Sequence, residues 1–191
     1  MKHECKVPNF KGMLEKLPRA RRIIGRVESL KFFRDRFIKQ GWEDSAFQPW
    51  QKSKHPFMGK RTMLNSNSLM NSLKVQEETD SRVVIINDKE YAATHNNGAV
   101  ITVTAQMKKY FWWQYKIHSG NVSRFKNGNI QRNKENKKTN AKAEYCKAMA
   151  LKPVGSKIKI PQRQFMGNSK KLMENMDKAL IIYIDREFGN L

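Results

Sequence analysis

Hydrophobic residues early in the chain follow the period of an α-helix. Between residues 27 and 37 they recur at steps of three and four, at Val27, Leu30, Phe33 and Phe37. This spacing predicts an amphipathic helix, and Gly41 offers a residue at which it can stop. Residues 62–73 place Leu64, Leu69 and Leu73 on one side with Asn and Ser between them and predict a second, shorter helix. Residues 42–58 lie between them and, with two tryptophans, predict an ordered loop.

Strand-like patterns follow these helices. Residues 73–77 alternate apolar and polar, a Thr-Asp-Ser turn comes next, and Val83–Ile86 is a β-branched apolar run, so a β-hairpin is predicted. Residues 99–104 are rich in Val, Ile and Thr and predict a further strand. Residues 157–160 alternate again and predict a short strand, which Pro161 ends.

A helical stripe closes the chain. Ser169 is suited to cap a helix, and apolar residues then recur up to Phe188 at helical spacing. We therefore expect one α+β domain spanning residues 1–191, in which the first and last helices cover one face of a small antiparallel sheet.

Basic residues change this picture at two places. Lys and Arg number 38 against 17 Asp and Glu, a net charge of +21. Residues 1–26 carry +6 and two prolines, which predicts a flexible basic N-terminal arm in which residues 13–17 are the one place for a short helix. Residues 105–155 form a basic insertion between two core parts, 27–104 and 156–191, and we expect its middle, residues 119–139, to be an extended, mobile loop because it has few apolar anchors.

Such a charge requires negatively charged partners. Nucleic acid, an anionic membrane surface and acidic protein faces all fit, and charge alone does not choose among them. Two distant cysteines, Cys5 and Cys146, in polar sequence surroundings suggest neither a disulfide framework nor a zinc site, and no signal peptide or membrane span is expected.

Catalytic patterns are missing from the sequence. His95 lies four residues after Tyr91, and both could share one face of a helical turn, but no second histidine stands at metal-binding spacing. No nucleophile motif and no phosphate-binding glycine loop is present. We expect a structural role for His95 and a protein that is not an enzyme, with no catalytic residue, cofactor or metal.

The segment KKYFWWQYK, residues 108–116, interleaves cations with aromatic rings. Stacking on nucleic-acid bases beside phosphate contacts would use this mixture, and so would an oligomer interface or an ordinary core. The candidate nucleic-acid or partner contacts in and after this segment are Lys108, Lys109, Trp112, Trp113, Lys116, Arg124, Lys126 and Arg132.

Arg163 stands between Pro161 and Phe165. It could cap a backbone carbonyl, or its forked guanidinium could grip a carboxylate within the subunit or on a neighbour. Both possibilities remain open from the sequence.

Four segments together resemble the phage virion morphogenesis family, the tail-completion or neck proteins of tailed bacteriophages, including Mu-like phages. In chain order they are the early helix ending in QGW at residues 40–42 with the Trp50 loop after it, MLNSNSLMNSL at 63–73, YAATHNNG at 91–98, and IPQRQFMG at 160–167 followed by a C-terminal helix. The resemblance covers about residues 27–104 and 156–188. It carries six residues over as fold or subunit-interface positions: Tyr91, His95, Gly98, Pro161, Arg163 and Phe165.

The resemblance implies a structural virion protein that forms a ring at the neck, completes the tail and joins it to the head connector. Its expected partners are other copies of itself, head-closure or connector proteins, and tail-terminator or tail-tube proteins, with transient contact to genomic DNA and no membrane. It would lie in the virion neck or tail, and in the host cytoplasm during assembly. The alternative is a nucleic-acid-binding module that uses the basic aromatic surface.

Overall fold

A computed structural model of the chain describes residues 10–53, 55–57, 61–131 and 133–188. The predicted α+β class is confirmed, although the strands form three separate two-stranded antiparallel sheets instead of one. The elements are α1 Phe10–Lys39, β1 Gly41–Glu43, β2 Phe47–Pro49, α2 Ser68–Asn71, β3 Leu73–Glu78, β4 Val83–Asn87, α3 Ala92–Asn97, β5 Ala99–Thr102, α4 Ala105–Gly120, α5 Lys134–Leu151, β6 Lys157–Ile160 and α6 Lys170–Phe188.

The first helix is longer than the sequence predicts. α1 runs without a break through Pro18, so the prediction of a flexible arm is wrong for residues 10–26, and residues 1–9 lie outside the described part. Packing explains the extension, because α1 and α6 lie against each other and Lys16 contacts both Glu187, at 3.7 Å, and the ring of Phe188. A proline removes one backbone donor, and tertiary contacts offset that loss.

Two helix boundaries also differ from prediction. Gln40, at φ 59°, is the left-handed residue that ends α1, and Gly41 instead begins β1, where a Cβ would lie 2.4 Å from the Phe47 ring. The helix predicted over residues 62–73 shrinks to the four residues of α2 because Met63 and Asn67 adopt positive φ angles of 60° and 55°.

Aromatic side chains fill the core between α1 and the elements that follow it. Phe37 is fully buried and meets the rings of Trp50 and Phe165 at centroid distances of 5.7 and 4.9 Å. Trp42 packs edge-on against Phe32. The segment predicted as an aromatic loop therefore forms the β1–β2 hairpin and delivers both tryptophans to the core.

The later strands and the last helix form as predicted. β3 and β4 make the expected hairpin, and β5 pairs with β6 from Ala99↔Ile160 to Thr102↔Lys157. Ser169 caps α6, because its Oγ accepts a hydrogen bond from the backbone N–H of Leu172 at 3.2 Å.

The basic insertion is a helical hairpin, so the prediction of a loop over residues 119–139 is wrong for 119–120 and 134–139, which belong to the two helices, while the described residues between them are not helical. α4 and α5 pack along each other and are joined by a turn whose described residues are 121–131 and 133. We call α4, this turn and α5 the helical arm. At its base, the backbone N–H of Val103 donates to Ser156 O at 2.8 Å, and Gly155 N–H donates to Val103 O at 2.9 Å, so the arm grows directly from the β5–β6 ribbon.

Among the described helices, none combines the length and the apolar character that crossing a membrane requires.

Candidate assembly interface

The motifs at residues 91–98 and 160–167 meet in space and form what we call the joint, which consists of α3, Gly98 and residues 161–166. Asn96 Oδ1 accepts hydrogen bonds from the backbone N–H groups of Phe165 and Met166, both at 2.9 Å. The backbone N–H of Arg163 donates to His95 O at 2.8 Å. Three main-chain donors of a segment without regular secondary structure are therefore satisfied by α3.

Phe165 anchors the joint to the core. Its side chain is fully buried, and the Trp50 indole N–H donates to the neighbouring Gln164 O at 2.9 Å. Pro161 follows the last residue of β6, as expected of a residue that ends a strand. The joint thus ties together the β1–β2 hairpin, α3 and the start of α6.

Arg163 caps a carbonyl in this structure. Its side chain is buried, and its Nε donates to Gln51 O at 3.1 Å. Burial lowers the pKa of the Arg163 guanidinium. Among the described residues, Arg163 forms no ion pair with a carboxylate, so the predicted pairing with a carboxylate of the same subunit is wrong for that part of the chain. Pairing with a carboxylate of a neighbouring protein stays a prediction.

His95 is half-buried in α3 and lies edge-on to the Tyr91 ring at 6.0 Å. Burial lowers the pKa of His95, and the nearby charge of Arg163 lowers it further. Its buried Nδ1 has no hydrogen-bond partner among the described residues, so nothing there orients the ring as a base. Tyr91 is 45% exposed, and it is the most exposed of the six residues that the resemblance singled out.

Gly98 provides a sharp test of the joint. It ends α3 at φ 73° and ψ 161°, a region that is essentially restricted to glycine, and a Cβ there would lie 3.0 Å from Gln162 N. We expect Gly98→Ala to lower the free energy of unfolding by about 2–4 kcal/mol, since strain and steric contact add. Chemical denaturation measures this change.

Gly155 supplies the control for Gly98. It has a similar φ of 87°, but a Cβ would meet nothing within 4 Å. Gly155→Ala therefore carries backbone strain alone, about 1 kcal/mol. Equal losses in the two variants would contradict a close approach between Gly98 and residue 162.

The outer side of α4 forms an exposed aromatic face, which we define as Lys109, Tyr110, Trp113, Lys116 and Ile117. These residues lie at helical spacing, and all five are exposed. Trp113 is 57% and Tyr110 54% exposed, and their rings contact each other at 6.2 Å. Trp112 is also exposed and packs against Tyr115. Five of the residues predicted as nucleic-acid or partner contacts therefore lie on α4: Lys108, Lys109, Trp112, Trp113 and Lys116.

Small residues allow α5 to approach α4 closely. Ala143, Cys146 and Ala150 recur at i, i+3 and i+7, and all three are buried. Cys146 is therefore in a packed environment, not the polar one that its sequence neighbours suggest. Burial raises the pKa of the Cys146 thiol, which keeps it protonated and a poor nucleophile.

Aromatic contacts hold the side of the arm against the rest of the molecule. Phe57 contacts the rings of His118 at 5.0 Å and Tyr145 at 6.3 Å, and Lys142 lies over its face at 5.2 Å. His55 stacks on Tyr145 at 4.1 Å. The arm has a defined orientation because its two helices are clamped at this point as well as at the ribbon.

Asn136 organises the tip of the arm. Its side chain accepts from the backbone N–H of Ser123 at 3.0 Å and donates to Ser123 O and Gln131 O, both at 2.8 Å. Arg124 and Lys126 are exposed on the turn that Asn136 holds. Arg132, another predicted contact, lies outside the described residues.

The described residues contain no cluster of three or more His, Cys, Asp or Glu side chains that could hold a metal ion. The histidines that are described lie among aromatic rings or in α3, without an adjacent carboxylate. These side chains can bind and pack, and they do not form a convergent acid, base and nucleophile.

Three polar residues that hold the joint, the arm and the core in place were not predicted from the sequence. Asn96 lies in α3 and its hydrogen-bond partners are 69 and 70 residues away, so no local pattern marks it. Asn136 lies in the first turn of α5 and bonds residues 5 and 13 positions earlier. The signal in its neighbourhood is Asn133, a residue type that caps helices. The third is Arg36, which is 1% exposed and donates to Glu43 Oε2 at 2.6 Å. A lone arginine in an apolar stripe marks such a buried pair.

A family model described as the phage virion morphogenesis family matches residues 12–185, nearly the whole chain. Searches of curated proteins and of solved structures found no match. The match includes the helical arm and residues 12–26 of α1, both of which lie outside the ranges 27–104 and 156–188 that the resemblance covers.

Proposed function

The chain belongs to the phage virion morphogenesis family, and from this premise we propose that it is a structural subunit of the phage neck, forming a ring that completes the tail and joins it to the head connector. Family membership makes it a virion structural and assembly protein. That match, over nearly the entire chain, carries the proposal.

A closed ring needs a heterologous interface, in which one surface patch meets a different patch on the next copy. The aromatic face of α4 suits one half of such an interface. Tyr110 and Trp113 are the residue types that dominate binding hot spots, and here they are already held in one geometry by a helix. Lys109 and Lys116 flank them as a polar rim.

The arm also places the aromatic face of α4 away from the core. Because α4 and α5 project from the two-stranded β5–β6 ribbon, the arm can contact a neighbour without disturbing the aromatic core. We propose further copies of the chain as the first partners, and connector or head-closure proteins and tail-terminator or tail-tube proteins as the neighbours on either side. Its place is then the neck of the virion.

The test removes the two rings together in Tyr110→Ala/Trp113→Ala. If both are hot spots, subunit association weakens by about 4 kcal/mol, or roughly a thousandfold. Sedimentation velocity and native mass measurement report ring formation by the purified chain. Electron microscopy of a phage that relies on the variant reports the fraction of heads joined to tails, which should fall sharply.

Tyr110→Phe/Trp113→Phe is the matched control, since it keeps two rings on the face and should retain assembly. Circular dichroism should be the same for both variants, because neither side chain is buried. Normal numbers of joined particles from the alanine variant would refute the role of this face. Complete tailed virions from a phage that lacks the protein would refute the neck function as a whole.

A further inference from the structure

We propose that the tip of the helical arm is a binding site for the sugar-phosphate backbone of duplex DNA. The site is the groove between the turn and the start of α5, and its volume is about 1500 Å³. This activity is separate from ring formation, which uses the outer face of α4.

Cations and amides make up most of the described residues of the groove wall, and Phe125, Gly128 and Ile130 complete it. Three cations line it, Arg124, Lys134 and Lys137, and all three are exposed. Side-chain amides stand between them, including Asn127, Asn129 and Asn140, and no Asp or Glu is among the described residues of the wall. Lysine, arginine and amide N–H groups are the side-chain donors that proteins direct at phosphate oxygens.

Charge is distributed unevenly over the molecule. Residues 105–163 hold 15 basic and two acidic residues, a net charge of +13, whereas the 15 basic and 13 acidic residues of 27–104 and 164–191 nearly balance. Ion pairs follow the same division. Within the described residues, every ion pair lies outside the arm, as in Arg22 with Asp80 and Lys74 with Asp88.

The arm cations therefore have no carboxylate partners among the described residues, although Glu135 and Glu144 lie on the same helix. Unpaired cations at this density repel one another, and a polyanion removes that cost while releasing its own counterions. α5 has 18 residues and is about 27 Å long, close to the length of eight base pairs of duplex.

Duplex DNA suits the tip better than an acidic protein or a single strand. An interface core for protein would carry several aromatic residues, whereas the described wall of this groove carries one. Single-strand sites use several aromatic platforms for base stacking, and Phe125 is the one aromatic side chain in the described wall of the groove. Backbone contacts without base reading remain, so binding should be independent of sequence.

The experiment measures fluorescence anisotropy of a short mixed-sequence DNA duplex with the full chain across a range of salt concentrations. Arg124→Gln/Lys134→Gln/Lys137→Gln should reduce the slope of log affinity against log salt by about three, and weaken binding at least roughly tenfold near physiological salt. The control Arg19→Gln/Lys31→Gln/Lys178→Gln removes the same charge from exposed positions outside the arm and should change both quantities much less.

Equal losses in the two variants would overturn the site, since the effect would then come from net charge alone. Tighter binding of the matching single strand would overturn the duplex assignment. A polyglutamate peptide that binds as tightly as DNA and is lost in the same tip variant would assign the tip to an acidic protein instead. Sedimentation of the tip variant as a normal ring would separate this result from the neck function.

Discussion

We expect Phe165→Ala to lower the free energy of unfolding by about 3–5 kcal/mol, the usual range for removing a fully buried phenyl ring. Phe165 has no exposed surface, and its ring lies 4.9 Å from that of Phe37. The loss should be at the upper end, because Phe165 is also the residue through which the joint is fixed to the core. Urea denaturation followed by tryptophan fluorescence measures it, and Trp50 lies close enough to report local changes.

Phe125→Ala is the control for Phe165. Phe125 is 55% exposed on the arm, and a surface substitution of this kind costs within about 0.5 kcal/mol. A loss below about 1 kcal/mol for Phe165→Ala would mean that the motif IPQRQF does not reach the core, and the described joint would be wrong.

The second large effect concerns the pair of Arg36 and Glu43. Arg36 lies on the buried face of α1, with the Phe32 ring 4.2 Å from its guanidinium, and Glu43 is its carboxylate partner. Glu43→Gln removes the countercharge and leaves the buried guanidinium without it. We expect a loss of about 2–3 kcal/mol, below the full cost of breaking a buried pair because Glu43 is partly solvated.

The same pair predicts a dependence on pH. The hydrogen bond from Arg36 holds the pKa of Glu43 below its ordinary value, with smaller contributions from the charges of Arg36 and Lys39. A lowered pKa in the folded state means that the unfolded chain binds more protons, so stability rises with pH across this range. The contribution of Glu43 is complete above about pH 5 and is lost as the pH falls below about 4.3 through the folded pKa.

Denaturation at neutral and at acid pH separates these effects. Glu43→Gln should remove part of the acid sensitivity as well as stability at neutral pH. Glu174→Gln is the matched control, since Glu174 pairs with Lys171 on the surface of α6 and should contribute less than about 1 kcal/mol. Identical pH profiles for wild type and Glu43→Gln would contradict a coupled pair.

Local patterns in the sequence were enough to predict several elements. The β3–β4 hairpin, the strands β5 and β6 and the helix α6 each carry their own periodicity and turn or cap residues. They form where predicted because their local preference and their packing agree.

Elements that depend on distant partners were missed. α1 passes through Pro18 because residues far away in α6 pack on it. α5 reads as polar because its packing stripe uses Ala143, Cys146 and Ala150, which lack the bulk that marks an apolar face. One sheet was predicted where the structure has three separate two-stranded sheets, because no local pattern shows which strands pair with each other.

The joint shows the same limit at the level of single residues. The sequence singled out Arg163 and offered both a carbonyl and a carboxylate, and only the fold brings Gln51 O beside it. The sequence did not single out Asn96, although its side-chain oxygen accepts hydrogen bonds from the backbone N–H groups of Phe165 and Met166. The contacts of both residues span more than 60 positions of chain, so spacing could not reveal them.

The core cluster takes no described residue from between Ala92 and Phe165, so the arm contributes nothing to the central packing of the protein. Substitutions in the arm can accumulate under little pressure from the folding of the remainder. A phage lineage that acquires a new neighbouring protein could then replace this piece by recombination within β5 and β6 and leave the rest of the gene unaltered. The arm is the part of the chain in which divergence between relatives should concentrate.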